Sequence, residues 1–361
     1  MEHAYRPDRG YSIGIEEELM IVARDGLGLA SGIEALLRDD DTADLKHELH
    51  ECVVEIATEP AATVGDAGEQ LRRLRDLVSE RAGQAGLAVA AAGTHPFSRW
   101  DEQRISPEAR YRSLVDQLGF VARQEVIFGQ HVHVAVDDPE TAIKVANGLR
   151  LHVPLLMALA ANSPFWMGQD TALASARMPV FRQFPRVGLQ PHYGGWEDWV
   201  RRIELMVRAG MIEDHTWFWW DVRLSPGFGT VEVRVMDVQT RVEDTLALAG
   251  LVQALVRDLA ESDPVPVVPD ELLAENRWQA GKHGLAGELV ELPSPDRTPA
   301  AELVRRLVER LREHAQDLGA EDALDGVLEL VEDGGGAARQ RRVHAANGDL
   351  TEVVRELVEA T

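Results

Sequence analysis

Charged and imidazole side chains recur at every second residue of several apolar runs, and this alternation limits what the chain can fold into. The runs are "YSIGIEEELM" (11–20), "LKHELHECVVEIAT" (45–58), "GQHVHVAVDDP" (129–139) and "GTVEVRVMD" (229–237). In a strand, residues two apart share a face. Glu16 therefore joins Glu18, His131 joins His133, and Glu232 joins Arg234. Glu51 and Glu55 lie opposite Cys52, Val54 and Ile56. Valine and isoleucine fill the other faces. For one such pair, the water-facing side of an antiparallel sheet is the ordinary reading. A water-facing side, however, mixes Lys, Thr, Ser and Gln, and here Glu and His recur with almost no Lys. Carboxylates crowded in this way repel one another unless cations lie between them. Glu17 points the other way, into the apolar side, and calls for a structural role or a cationic partner.

Oxygen donors with an occasional imidazole suit Mg²⁺ or Mn²⁺. Cys52 is the single cysteine, which excludes an internal disulfide framework and a Cys-rich zinc site. The formal net charge of −24 argues against nonspecific nucleic-acid binding and against docking on anionic membranes. Mg²⁺ commonly binds through a few carboxylates together with substrate phosphates. Arg177, Arg223 and Arg234 are candidates for completing a phosphate clamp, against a bland role pairing with the acidic surface. No GxxxxGK[ST] loop and no strand–GxGxxG–helix occurs. A bound nucleotide would therefore depend on metals and arginines.

The rest of the pattern predicts an α+β chain. Strands are expected over 11–24, 45–58, 87–97, 129–139, 216–226 and 229–237, the last two as a hairpin. Helices are expected over 65–86, 107–128, 139–162, 196–213 and 242–261. The Gly-, Pro- and Arg-rich stretch 163–195 reads as an ordered functional loop. The stretch "SDPVPVVPD" (262–270) is the best linker candidate. Residues 1–262 form the expected catalytic body, and 263–361 a helical part packed on the same domain. The longest apolar run, near 151–161, is interrupted by His152 and Pro154 and is too short to span a bilayer. The start of the chain lacks a signal-peptide layout, so a cytoplasmic protein is expected.

"GIEEELMIV", "HELHECVVEIATEP", "AAAGTHPFSRW", "GQHVHVAVDDP", "NSPFWMGQDTALASARMPVF" and "GTVEVRVMDVQTRVED" resemble, in order, the blocks of the carboxylate–amine ligase family. These are bacterial proteins of the glutamate–cysteine ligase 2 type. "AENRWQAGKHGLAGELVEL" and "GGGAARQRRV" extend the resemblance over essentially the whole chain. The resemblance implies a fold like the glutamine synthetase catalytic domain, with an antiparallel sheet curved into a funnel around ATP and metal. It implies Mg²⁺ (or Mn²⁺) ligands at Glu16, Glu18, Glu48, Glu55, His131 and Glu232. It places His133 near ATP, Arg234 and Arg223 on the transferring phosphoryl group, and Tyr111 and Arg112 on substrate. Glu48 stands where related ligases often have Asp, and on a continuous strand it falls off the face of Glu55. A bulge between them, or Glu51 in its place, would be needed. Family habit points to a homodimer and to small carboxylate and amine substrates, glutamate and cysteine first.

Amide bond formation through an acyl phosphate is the activity so implied, with 163–195 as lid or substrate wall. A metal-dependent hydrolase is the alternative, because "HVHV" resembles the His-x-His strand of amidohydrolases. That strand normally opens a (β/α)₈ barrel, and here it lies mid-chain. A non-catalytic binding protein would be expected to have lost one of Glu16, Glu18, Glu55, His131, Glu232 or Arg234, and all are present. His47 and His50 read as accessory or surface groups, "TWFWW" (216–220) as packing, Cys52 as a buried small residue, and His95 as part of a turn.

Overall fold

The structure, a computed structural model, describes residues 1–37 and 45–361. Its centre is a seven-stranded antiparallel sheet. The strands are β1 (Ile13–Ala23), β2 (Leu45–His47), β3 (Val53–Ala57), β4 (Leu87–Ala90), β5 (Gly129–Ala135), β6 (Val222–Ser225) and β7 (Thr230–Asp237). The order across the sheet is β6-β7-β5-β1-β3-β2, and β4 pairs with the far end of β1. The expected α+β class with an antiparallel sheet and flanking helices is the fold found. Among the described residues no (β/α)₈ barrel surrounds the His-x-His strand, so the hydrolase reading loses its scaffold.

The valine-rich side of the sheet is buried against α1 (Val64–Gln84), α3 (Pro139–Ala160) and α4 (Val242–Glu261). Ile13, Ile15, Val132, Val134, Val231 and Val233 contribute to that core. Burying apolar surface there stabilises the sheet by roughly 25 cal/mol per Å². Helix α1 starts at a Thr63 cap, whose hydroxyl accepts from the Asp66 amide at 3.1 Å. Helix α3 starts at Asp138, which caps Glu140 and Thr141. The apolar run inside α3 is longer than the sequence suggested. Pro154 lies within the helix, which by length and composition could cross a membrane, but 83% of its apolar window is buried in the protein. It is a core helix under the sheet.

Glu17, alone among the three consecutive glutamates, faces this apolar side. It is fully buried and takes a bidentate pair from Arg75 of α1, both N–O distances 2.8 Å. Thr245 Oγ1 donates a third hydrogen bond at 2.6 Å. Arg75 in turn donates to the carbonyls of Gln239 and Thr240. The expected cationic partner is thus a helix arginine.

The predicted strand 45–58 is two strands. β2 and β3 pair antiparallel, with His47 opposite Val54, and residues 48–52 turn between them. A continuous strand would have placed Glu48 off the face of Glu55, whereas the turn folds it back over that face. No bulge is required. Predicted helix 107–128 divides into α2 (Ala109–Leu118) and a short helix Phe120–Gln124, broken at Gly119 with φ +58°. Strand 216–226 breaks at Asp221, whose buried carboxylate pairs with Arg277 of the C-terminal helix α5 (Asp270–His283), at 2.7 and 2.9 Å. The stretch 163–195 contains a small hairpin, a helix Arg177–Phe181, and Val187–Gly188 paired with Trp219–Trp220.

Candidate active site

Strand register decides which polar side chains meet. Glu16 stands opposite His131, and Glu18 opposite Glu55. His133 stands opposite both Gly14 and Glu232, and Glu232 opposite Arg223. Arg223, Glu232 and His133 therefore form one row across β6, β7 and β5 that meets Gly14 on β1, and the pair Glu16–His131 is the next along the same face. The register between β7 and β5 shifts between Val233 and Met236, an irregularity of the kind that re-aims side chains beside active sites. Arg234 lies in that irregular segment and reaches Glu232 and the cavity below.

Two groups of ligand atoms form on this face. Glu18, Glu48 and Glu55 bring carboxylate oxygens within 4.8 Å of one another, and so do Glu16, His131 and Glu232 with one ligand atom each. Glu51 joins neither group. The first group is all oxygen, which fits Mg²⁺ or Mn²⁺, and the second adds a single imidazole. The electrostatics support that fit. Burial, then the neighbouring Glu18 and Glu55, pushes the Glu48 carboxyl up to about 8. Burial, then Glu16, pushes Glu55 up to about 7, although Lys46 Nζ is 3.0 Å away. A divalent cation would relieve the like-charge repulsion. In the second group, burial alone would raise Glu16, but hydrogen bonds from His131 and His133 prevail and hold it well below the usual range. His131 Nδ1 lies 3.2 Å from it.

Burial likewise opposes the ionised form of Glu232, and its neighbours overcome that. Arg223 donates at 2.7 and 3.1 Å, Arg234 donates as well, and both arginines hold the carboxyl far below the ordinary value. The imidazole of His131 is lowered by burial and then by Arg234. That of His133 is raised, because Glu232 and Glu16 outweigh its burial. His133 also contacts Thr230 Oγ1 at 2.9 Å and the edge of the exposed Phe228 ring.

Beside the first group a cavity opens, lined by Glu18, Glu48, Tyr111, Arg177, Arg234 and residues of the 163–195 segment. Arg177 is buried and hydrogen-bonds weakly to the carbonyls of Arg234 and Val235, at 3.4 Å each. Tyr111 donates its hydroxyl to the His47 carbonyl at 2.8 Å. Arg112 is not in the cavity: it is exposed, and Arg110 lines the mouth in its place. On one helical turn, residues 110, 111 and 114 share a face that 112 leaves. His50, read as an accessory or surface group, is not on the surface. It is buried, lines the cavity and is lowered to about 4 by burial. Trp217 and Trp219 of "TWFWW" line the cavity too, while Phe218 and Trp220 stack on each other. Sequence reasoning missed Arg110, Glu125 and these tryptophans, because cavity membership depends on which face of a short element turns inward. His95 is a turn residue, as read: its ring nitrogens engage the Leu27 carbonyl and the Ser98 amide.

A pH dependence follows from the raised carboxyls. Raised carboxyls favour the folded state below the ordinary value, and that contribution is lost as pH rises through about 7 and about 8. The metal-free protein is expected to melt at progressively lower temperature from pH 6 to about 8 and to level off above it, and millimolar Mg²⁺ or Mn²⁺ to remove that decline. Binding at pH 7 should release about one proton, read as a buffer-dependent heat in calorimetry. A heat independent of buffer would refute metal binding at Glu48 and Glu55.

The profile of glutamate-cysteine ligase family 2 matches residues 12–360. Two proteins of Rubrobacter xylanophilus, provisionally named glutamate–cysteine ligases 2-1 and 2-3, are 43% and 42% identical. They cover 98% and 100% of this chain, and 95% and 100% of their own lengths are matched. A similarly named protein of Solibacter usitatus is 37% identical, with 97% of this chain and 93% of its own length aligned. Among solved structures, the glutamate–cysteine ligase of Francisella tularensis in complex with AMP superposes with a TM-score of 0.72 at 12% identity, over 98% of this chain and 89% of that one. A bifunctional glutathione synthetase from Pasteurella multocida gives 0.71 at 14% identity, over 98% of this chain and 52% of that one. These structures share the fold. The sequence matches, over nearly the full length, show that this chain belongs to glutamate-cysteine ligase family 2.

Proposed function

We propose that this chain is an ATP-dependent carboxylate–amine ligase that makes an amide through an acyl phosphate, with glutamate and cysteine the first substrates to test. The observation that carries the reading is the shared face on which Arg223, Glu232, His133, Glu16 and His131 converge beside the Glu18–Glu48–Glu55 group. Two arginines and two sets of divalent-cation donors on one buried face suit a triphosphate better than any neutral ligand.

In the proposed reaction, a carboxylate oxygen of the first substrate attacks the γ-phosphorus of ATP. The bond from that phosphorus to the bridging oxygen breaks, and ADP leaves with the electron pair. Arg234 and Arg223 would stabilise the charge on the moving phosphoryl group, Arg223 by trading one of its two bonds to Glu232 for phosphate oxygen and Arg234 through its Nε, which has no partner among the described residues. The nitrogen of the second substrate then attacks the acyl carbon, phosphate leaves, and the nitrogen gives up a proton. Glu18, Glu48 and Glu55, with Glu16, His131 and Glu232, would hold Mg²⁺ or Mn²⁺, which supplies neutralisation of phosphate charge when bound. Arg177, Phe181 and Phe184 from 163–195 form one cavity wall, which would exclude water from the acyl phosphate.

The test is ADP release from ATP and Mg²⁺ over a panel of carboxylates and amines. Release that needs one of each, glutamate and cysteine above all, is the expected result. Release with no dependence on an amine would refute the ligase reading. Release supported only by another pair would retain the reaction and replace its substrates.

A further inference from the structure

The cavity holds one acid that the proposed chemistry does not use. Glu125 caps the short helix Phe120–Gln124 at its C-terminus and lines the cavity with Arg177, Arg234, Tyr111, Trp217 and Trp219. Among the described residues, its carboxylate has no hydrogen-bond or ion-pair partner. It does not belong to the Glu18–Glu48–Glu55 group whose oxygens converge within 4.8 Å. Burial, then the neighbouring Glu48 and Glu18, push its carboxyl well above the usual range, and Arg177 and Arg234 offset that only in part. A half-buried carboxylate without a partner is costly, and a binding cavity is where such a cost is recovered when a ligand arrives.

Aromatic rings in the same wall restrict what that ligand group can be. An ammonium is attracted both by a carboxylate and by the faces of Tyr and Trp. Arg177 in the same cavity would take a carboxylate from the same ligand. We propose that Glu125 is the binding residue for the cationic amino group of an amino-acid substrate, a role that rests on the ligase reading above. Glu125 sets preference for substrates that carry an ammonium over those that lack it, and holds the substrate in place. It does not hold metal.

The experiment compares the wild-type protein with Glu125→Gln and Glu125→Asp, using calorimetric binding in the presence of ATP and Mg²⁺. The probes are L-glutamate and L-cysteine against glutarate and 3-mercaptopropionate, the same molecules without the amino group. The wild-type protein should bind at least one ammonium-bearing probe about 10-fold or more tighter than its partner lacking it. Glu125→Gln should abolish that preference, and Glu125→Asp should keep part of it, while Mg²⁺ and ATP affinities stay within about 2-fold. In turnover assays the loss should appear in KM for the amino-bearing substrate with kcat and KM for ATP little changed. Equal preference in Glu125→Gln and wild type would overturn the proposal. A fall in Mg²⁺ affinity of 10-fold or more would overturn it in favour of a metal ligand. Binding of ATP with no binding of any ammonium-bearing probe would overturn it while leaving nucleotide binding intact. Failure of ATP itself to bind would remove the ligase reading and this role together.

Discussion

Replacing Arg234 with Ala is expected to lower ADP release by about 10³–10⁵-fold, the range that an arginine on a transferring phosphoryl group contributes. The variant should still fold. Glu232 keeps its two bonds to Arg223, at 2.7 and 3.1 Å, so no buried carboxylate is left without a cation. Arg234→Lys should recover little, because an ammonium cannot reproduce the planar donor fork. Turnover with saturating ATP and the best substrate pair, alongside the far-ultraviolet circular dichroism spectrum, checks this. Native spectra with turnover within 10-fold of wild type would rule out the assigned role.

Arg75→Met should show the opposite separation, with a large loss of stability and an undisturbed metal site. Arg75 and Glu17 are a buried pair, 3% and 0% exposed, and removing the arginine strands a carboxylate in the apolar core. Breaking such a pair costs about 3–5 kcal/mol. Thr245 still donates one bond, which does not replace a bidentate guanidinium. Adding Glu17→Met should recover much of the loss, since an apolar pair needs no counter-charge. Urea denaturation measures both. Because Glu17 faces away from Glu16 and Glu18, Mn²⁺ affinity of folded Arg75→Met should stay within about 2-fold of wild type. A loss under about 1 kcal/mol for Arg75→Met would contradict the burial argument.

These two arginines show where the sequence is legible. Period-two alternation in "GIEEELMIV" and "GTVEVRVMD" placed Glu16, Glu18, Glu232 and Arg234 on one face and sent Glu17 to the other. It did so because strand geometry is local: consecutive side chains must point to opposite sides. The same local rule misled at 45–58, where no Gly or Pro marks the turn, so the run reads as one strand although residues 48–52 reverse direction. Arg112 was misplaced against Arg110 because a helix face is set by what α2 packs on. His50, Glu125, Trp217 and Trp219 gave no signal, since their approach to one cavity joins elements far apart in the chain.

The sequence by itself determined the residue types, the faces of the long strands and the family-wide order of motifs, all of which follow from local backbone geometry and composition. The tertiary structure decided the rest. It chose Arg75 as the partner of Glu17, brought Glu48 rather than Glu51 to Glu18 and Glu55, and left Glu125 unpaired beside aromatic rings. Those pairings depend on strand register and on turns, and register is fixed by burying the valine face of the whole sheet at once, which no single stretch of sequence encodes.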